Sequence, residues 1–320
     1  MRFKRPLIAI VTAIAVITGG CAFVTQPLVK PIASPPAGVD AAALEQHVRE
    51  LAVTLHPRSV DSYANNQRAA DYVLAQFIAT GAATDIQKFE AGGGIYRNVI
   101  ARFGPAEGPL LVIGAHYDSC GDTFGADDNA SGVAGLLELA RLLAAHPPPQ
   151  PVELVAFALE EPPYFRTEAM GSFQHARGLA KQERPVRLMI ALEMIGYFRD
   201  TPNSQQFPVA ALSSMYPNEG NFIAIVGHFG DFGATRRVKA LFMGATDLPV
   251  ESINAPASVQ GVDFSDHASY WHFDLPAVMV TDTAFLRNPN YHTTGDTPDT
   301  LDYARMAKVV QAVYAVAMVY

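Results

Sequence analysis

Residues 110–143 constrain this chain more than any other stretch; they read LLVIGAHYDSCGDTFGADDNASGVAGLLELARLL. Residues 110–115 are continuously apolar, the pattern of a strand buried on both faces of a parallel sheet. His116 and Asp118 follow at once, in HYD. A loop dense in Gly and Asp then leads into a helix whose Val133, Leu136, Leu137, Ala140 and Leu143 share one stripe. In open α/β sheets, ligands and reactive groups collect at the carboxyl ends of the strands. An imidazole and several carboxylates converging at such an edge outline a metal site.

The same arrangement recurs along the chain. VELVAFAL at 152–159 ends in Glu160 and Glu161, VRLMIAL at 186–192 ends in Glu193, and PAVMVT at 276–281 precedes a loop that contains His292. Residues 222–226 read as a further strand, and 86–89 and 98–103 as two strands joined through the turn AGGG. Helical spacing marks 41–56 (stopped by Pro57), 62–80, 235–244 and 299–319. Strands alternating with helices predict one three-layer α/β/α domain over 41–320 with a mixed, mostly parallel central sheet.

Composition supports a folded domain of this size: 49% of the residues are hydrophobic and 17% charged, which leaves little room for disorder. A net charge of -8 and the absence of any basic run exclude nucleic acid as a principal partner. Two cysteines, Cys21 and Cys120, are too few for a disulfide framework. At the start, Arg2, Lys4 and Arg5 precede an apolar run at 7–17 that is short for a bilayer span, the pattern of an export signal. Thr18-Gly19-Gly20-Cys21 resembles a bacterial lipobox, with Thr18 where Leu is usual. Residues 1–21 are therefore expected to be a signal peptide of lipoprotein type, with an ordinary cleaved signal or an uncleaved anchor as alternatives. Pro27, Pro31, Pro35 and Pro36 make 22–40 a linker. The expected location is the bacterial cell envelope, with membrane attachment only through the N-terminal lipid or anchor.

Strand ends and adjoining loops together deliver His116, Asp128, Glu160, Glu161, Glu193 and His292. Imidazole nitrogens with carboxylate oxygens suit zinc. There are enough donors for two ions bridged by one carboxylate, a pair that polarises a carbonyl and activates water. A remaining carboxylate can move the proton to a leaving amine. Taken singly, each residue has a plainer reading: a structural His, a solvated Glu pair, a DD turn capping a helix. Their repeated placement at strand ends selects the site.

GAHYDS, GADDNASG, the Glu-Glu pair after an apolar strand, SDHASYW at 265–271 and NPNYHTTGDTPDTLDY at 288–303 together resemble the co-catalytic dizinc exopeptidases. That family includes bacterial leucyl aminopeptidase, aminopeptidase Y, the glutamate carboxypeptidases and glutaminyl cyclase, and the likeness runs in order over 40–320. The resemblance implies that His116 binds one zinc, with Asp118 behind it fixing the imidazole. Asp128 would bridge both ions and Asp127 would support it. Glu160 would be the general base, Glu161 and His292 would hold the second zinc, and Glu193 would complete the first. The family usually has Asp where Glu193 stands, so this chain adds a methylene there. Asp266 and His267 are expected in the pocket wall, off the metal. Cys120 reads as a small buried residue with no partner base to make it a nucleophile. The family's peptide bond after the bridging Asp is cis, and the same is expected between Asp128 and Asn129.

The activity implied is that of an aminopeptidase using two Zn2+ on peptide substrates. The alternatives are a glutaminyl cyclase, which transfers an acyl group within one molecule with a single zinc, and a non-catalytic binding module, which the filled ligand positions disfavour. No G-x-S-x-G elbow supports a serine hydrolase. Residues 199–262 are expected to shape the substrate pocket. Arg166 is either a surface residue or, in a carboxypeptidase, the partner of a substrate carboxylate.

Overall fold

The structure, a computed structural model, describes residues 4–320, with side-chain surroundings from residue 11; Arg2 of the basic start lies outside the described residues. Helix α1 (Lys4–Thr25) carries Cys21 in its last turns. Among residues 11–320, whose surroundings are described, no helix is long and apolar enough to cross a membrane. The proline-rich stretch that follows is extended, as fixed proline φ angles favour. The end of α1 and this stretch lie along the domain: Phe23 stacks on Phe232 with ring centroids 3.9 Å apart, Ser252 donates to the Thr25 carbonyl at 2.8 Å, and the Ile32 amide donates to the Ala240 carbonyl at 2.9 Å.

Asp40 caps helix α2 (Ala41–Arg49), its carboxylate accepting the Ala42 and Ala43 amides. This helix is shorter than its apolar spacing predicts. From Glu50 to Thr54 the turns widen to i→i+5 bonding, and the Leu51 carbonyl accepts the Arg58 guanidinium at 2.6 Å. Helix α3 (Tyr63–Ala79) leads into the hairpin β1 (Ala83–Ala91) and β2 (Gly94–Phe103). Both hairpin strands extend well beyond their predicted cores.

The strand–loop–helix unit then appears as β3 (Leu110–His116) and α4 (Gly132–Ala145), followed by β4 (Val152–Phe157), α5 (Gly171–Lys181) and β5 (Val186–Glu193). The remaining elements are β6 (Ile223–Gly227), α6 (Phe232–Ala245), β7 (Val250–Asn254), α7 (His267–Trp271), β8 (Ala277–Thr281) and α8 (Tyr303–Val319). The last helix starts later than its spacing predicts. Residues Pro298–Thr300 form a separate 3-10 turn, and Asp302 caps α8 by accepting the Arg305 amide at 2.9 Å.

Among the described residues, the strands form one sheet in the order β1-β2-β4-β3-β5-β8-β6-β7. β4, β3, β5 and β8 run parallel; β2 and β6 pair antiparallel to this central set, and β7 is parallel to β6. Every residue of β3 and β4 is buried. Leu111 and Ile113 join the large core that includes α2, α3, α4, α6 and α8, while Leu110 and Val112 face a second core with Ala176, Leu179 and Tyr270 of α5 and α7. The sheet is thus covered on both sides, and the expected three-layer α/β domain is the one observed. Because β3, β4, β5 and β8 are parallel neighbours, their carboxyl ends open onto the same edge.

Candidate metal centre

His116 closes β3 and is fully buried. Two residues on, Asp118 lies with Oδ1 3.5 Å from His116 Nδ1. The same carboxylate accepts the Glu160 amide at 3.2 Å and the Glu161 amide at 3.0 Å, so it also fixes the chain leaving β4. Glu160 and Glu161 follow β4 after two residues, Glu193 closes β5, and His292 lies in the loop beyond β8.

Asp128 occupies the loop between β3 and α4, and its two oxygens point in different directions. Oδ1 lies 3.3 Å from His116 Nε2 and Oδ2 lies 3.1 Å from His292 Nε2. Glu193 Oε2 is 3.5 Å from His116 Nε2, and Glu161 Oε2 is 3.2 Å from His292 Nε2. The extra methylene of Glu193 therefore still reaches the cluster, and Ser265 steadies it by donating to Oε2 at 2.7 Å. Glu160 stands farther off, its Oε2 3.9 Å from His116 Nε2. The peptide bond between Asp128 and Asn129 is cis, as the resemblance leads one to expect.

The loop that presents Asp128 is held from several sides. Asp296 accepts the Asp127 and Asp128 amides at 2.9 and 3.1 Å. Asn129 donates to the Leu192 carbonyl and accepts the Gly132 and Met194 amides, tying the start of α4 to the end of β5. Asp127 accepts the Gly196 amide at 3.0 Å and the Asn288 side chain at 2.9 Å, which leaves it a supporting residue. Arg58, wholly buried, donates to the carbonyls of Leu51, Tyr117, Phe124 and Gly125. Gly125 has φ +57, and a Cβ there would come within 2.4 Å of the Asp128 carbonyl, so only glycine fits this turn.

Sequence reading missed Arg58 and Asp296 as parts of this frame. Arg58 belongs to no periodic pattern and acts on backbone carbonyls, which carry no sequence signal. Asp296 was visible only as one acid of the TGDT stretch.

The electrostatics call for cations. Both His116 nitrogens and Glu161 Oε1 are buried without hydrogen-bond partners. Burial, reinforced by the neighbouring acids Glu193, Glu161 and Asp266, pushes the Glu160 carboxyl well above the ordinary range, although His116 opposes this. Burial and the Asp128 charge push Glu161 up to about 8. Asp128 goes the other way: burial works against its charge, but the His116 and His292 imidazoles facing its two oxygens hold it below the usual carboxylate range. Two histidines cannot neutralise this many acids, and the donors are those that bind zinc. His116, Asp128 and Glu193 offer one set of atoms within 4.8 Å of one another, and Cys120, Glu161 and His292 offer another. The residues therefore fit divalent metal.

Asp266 and His267 differ from each other. His267 donates through Nε2 to the Val262 carbonyl in the pocket wall at 2.8 Å and packs edge-on against Trp271, a structural placement. Asp266 is buried with both carboxylate oxygens unpartnered, near enough to feel His116 and Glu193. Arg166 pairs with Asp263 and lies over the Phe264 ring, so its charge is already matched within the chain. Cys120 is half-buried at the cluster itself, closer to the chemistry than its reading as a small core residue implies. Beside Glu193 and Tyr291 opens an apolar pocket of about 110 Å³, walled by Phe222, Val262, Phe264 and Phe285 among others. Much of this wall comes from residues 199–262, where the pocket was expected.

A family model described as "Peptidase family M28" matches residues 98–317. Among curated proteins, the chain is 51% identical to "Uncharacterized protein YfbL" of Escherichia coli (strain K12), over 90% of this chain and 91% of that protein. It is 26% identical to "Leucine aminopeptidase 1" of Coccidioides posadasii (strain C735), over 73% of this chain but 58% of that longer protein. Among solved structures, the LapA aminopeptidase of Legionella pneumophila superposes with a TM-score of 0.70 at 21% identity, covering 88% of this chain and 70% of that one. A glutaminyl cyclase of Bacteroides thetaiotaomicron superposes with a TM-score of 0.68 at 19% identity, covering 90% of this chain and 99% of that one. At such identities the superpositions speak for the fold.

Proposed function

The chain belongs to peptidase family M28, and from that premise we propose that it is a two-zinc aminopeptidase removing apolar N-terminal residues from peptides. The observation that carries this reading is Asp128, whose two oxygens face two different histidines at 3.3 and 3.1 Å. His116 and Glu193 would hold one ion, Glu161 and His292 the other, and Asp128 both. When bound, the pair polarises the scissile carbonyl and lowers the pKa of water. Glu160 is free of Asp128 and His292 and has a carboxyl raised by burial, so it suits taking a proton from the attacking water and giving it to the leaving amine. Asp118 orients the His116 ring and the Glu160 and Glu161 backbone together. The apolar pocket beside Glu193 would receive the side chain of the N-terminal residue.

The test is turnover of a panel of aminoacyl, N-terminal glutaminyl and C-terminal glutamyl substrates, with metal content measured on the same protein. We expect release of apolar aminoacyl groups with two zinc ions per chain. Cyclisation of N-terminal glutamine with one tightly held zinc would replace this reading with the cyclase. Preference for C-terminal glutamate would mean that Arg166 leaves Asp263 to meet the substrate.

We further propose export to the cell envelope, with residues 1–21 as the signal and Cys21 as the lipidated residue. Phe23 and Thr25 already touch the domain, so a lipid on Cys21 would hold the enzyme close to the membrane surface. Cell fractionation of Cys21→Ser is expected to move the protein from the membrane to the soluble exported fraction, since several acyl chains anchor firmly. Unchanged attachment with an intact N-terminus would identify an uncleaved anchor.

A further inference from the structure

The two metal positions do not offer the same donors. Around His116, Asp128 and Glu193 the atoms within reach are nitrogen and oxygen. Around His292 and Glu161 there is also a sulfur: the Cys120 thiol, a Glu161 carboxylate oxygen and a His292 ring nitrogen lie within 4.8 Å of one another. Cys120 is not held away by a disulfide, since it is a free thiol. It follows Asp118 and Ser119 in the loop leaving β3, and its carbonyl accepts the Thr123 amide at 3.0 Å, so its backbone is fixed. The second observation is Glu161 itself, 4% exposed, with Oε1 buried and without any hydrogen-bond partner. A carboxylate with one oxygen buried and unsatisfied, an imidazole and a thiol within reach of one another are the donors of a zinc site that includes sulfur.

We propose that Cys120 is a protein ligand of the second metal position, joining Asp128, Glu161 and His292. This rests on the reading of Glu161 and His292 as metal ligands. Four side chains from three segments, with Cys120 and Asp128 sharing the loop between β3 and α4, would then supply the donors at that position, while His116, Asp128 and Glu193 would supply three at the other. A three-ligand position keeps room for water and a four-ligand position is closed. A thiolate also makes the second position soft: it favours zinc and cadmium over manganese and magnesium, which prefer oxygen.

The experiment uses the full-length protein loaded with cobalt(II) in place of zinc. A thiolate ligand gives a near-ultraviolet sulfur-to-cobalt charge-transfer band. We expect that band in the wild-type protein and its loss in Cys120→Ser, with visible cobalt bands kept in both. Cadmium affinity at the second position should fall roughly 10-fold or more in Cys120→Ser, while manganese affinity stays the same. Since the substitution could disturb folding, the wild-type thiol is also titrated with a maleimide: it should react in chelator-treated protein and be protected once zinc is restored. Two bound cobalt ions with no charge-transfer band, or a thiol equally reactive with and without zinc, would overturn the proposal while leaving Glu161 and His292 as ligands. Binding of a single cobalt, lost in Glu193→Gln but kept in Glu161→Gln, would remove the second position and the proposal with it.

Discussion

Glu160 and Glu161 are adjacent and both buried, yet they meet different partners. Glu161 Oε2 lies 3.2 Å from His292 Nε2, whereas the nearest ring nitrogen to Glu160 is 3.9 Å away. Glu160→Gln keeps the size and loses the proton acceptor, so kcat should fall by ~10²-fold or more while metal content stays near wild type. Glu161→Gln should lose metal, with activity following the metal. Elemental analysis beside kinetics decides between them, and the reverse pattern would exchange the two roles. Arg58 makes a different case. Its guanidinium satisfies four carbonyls, three of them (Tyr117, Phe124 and Gly125) in the loop that presents Asp128. Burial lowers its pKa to about 10, with nearby acids including Asp296 opposing this, so it stays charged at neutral pH. Arg58→Met strips those carbonyls of their donors and should destabilise the fold by about 3–5 kcal/mol. A denaturant titration checks it; a loss under ~1 kcal/mol would mean that water replaces the guanidinium.

At the level of elements, the loop between β3 and α4 depends on how closely the helix start approaches β5. A Cβ on Gly132 would lie 2.4 Å from Asn129 Oδ1 and 2.7 Å from the Leu192 carbonyl, and the second of these is backbone. Gly132→Ala should therefore push α4 off β5, cost about 1–3 kcal/mol and weaken metal binding through Asn129 and Asp128. Thermal melts and a zinc titration of this variant measure both; unchanged zinc affinity would separate the loop from the helix start. The same region shows why some elements were legible in sequence and others were not. β3, β4, β5 and β8 read as strands because a strand buried on both faces must be an unbroken apolar run. α5 and β7 escaped notice because they bury polar groups. His175 on α5 contacts Tyr270 and Glu153 at 2.6 and 2.8 Å, and Ser252 and Asn254 on β7 reach Thr25 and Val24. Such partners lie far away in the chain, and no local periodicity announces them. The metal-facing residues were legible as acids and histidines after apolar runs. Apart from Asp118, the groups that orient them were not, since Arg58 and Asn129 act mainly on backbone.

For the whole molecule, the buried acids tie stability to pH and to metal. Burial raises Asp282 and Asp296 to about 7, Glu161 to about 8, and Glu160 well above the ordinary range. Carboxyls of the unfolded chain titrate near ~4. Between these values the folded chain holds more protons than the unfolded one, so stability falls as pH rises, from full strength below pH ~4 to its loss above pH ~7–8. His116 and His292, raised by their acidic neighbours against the effect of burial, act in the same sense above pH ~6.5. Asp128 is depressed and acts in the opposite sense, but its contribution is lost only as pH falls below ~4. Chelator-treated protein should therefore melt at a lower temperature at pH 8 than at pH 5, by ~3 °C or more. Zinc competes with protons for the same carboxylates and imidazoles, so the melting-temperature gain on adding it should grow over that interval. Melting curves at both pH values, with and without saturating zinc, measure all four corners of this cycle. A chelated protein that is as stable at pH 8 as at pH 5 would mean that the acids are compensated within the fold and that the cluster has no need of metal to hold its charge.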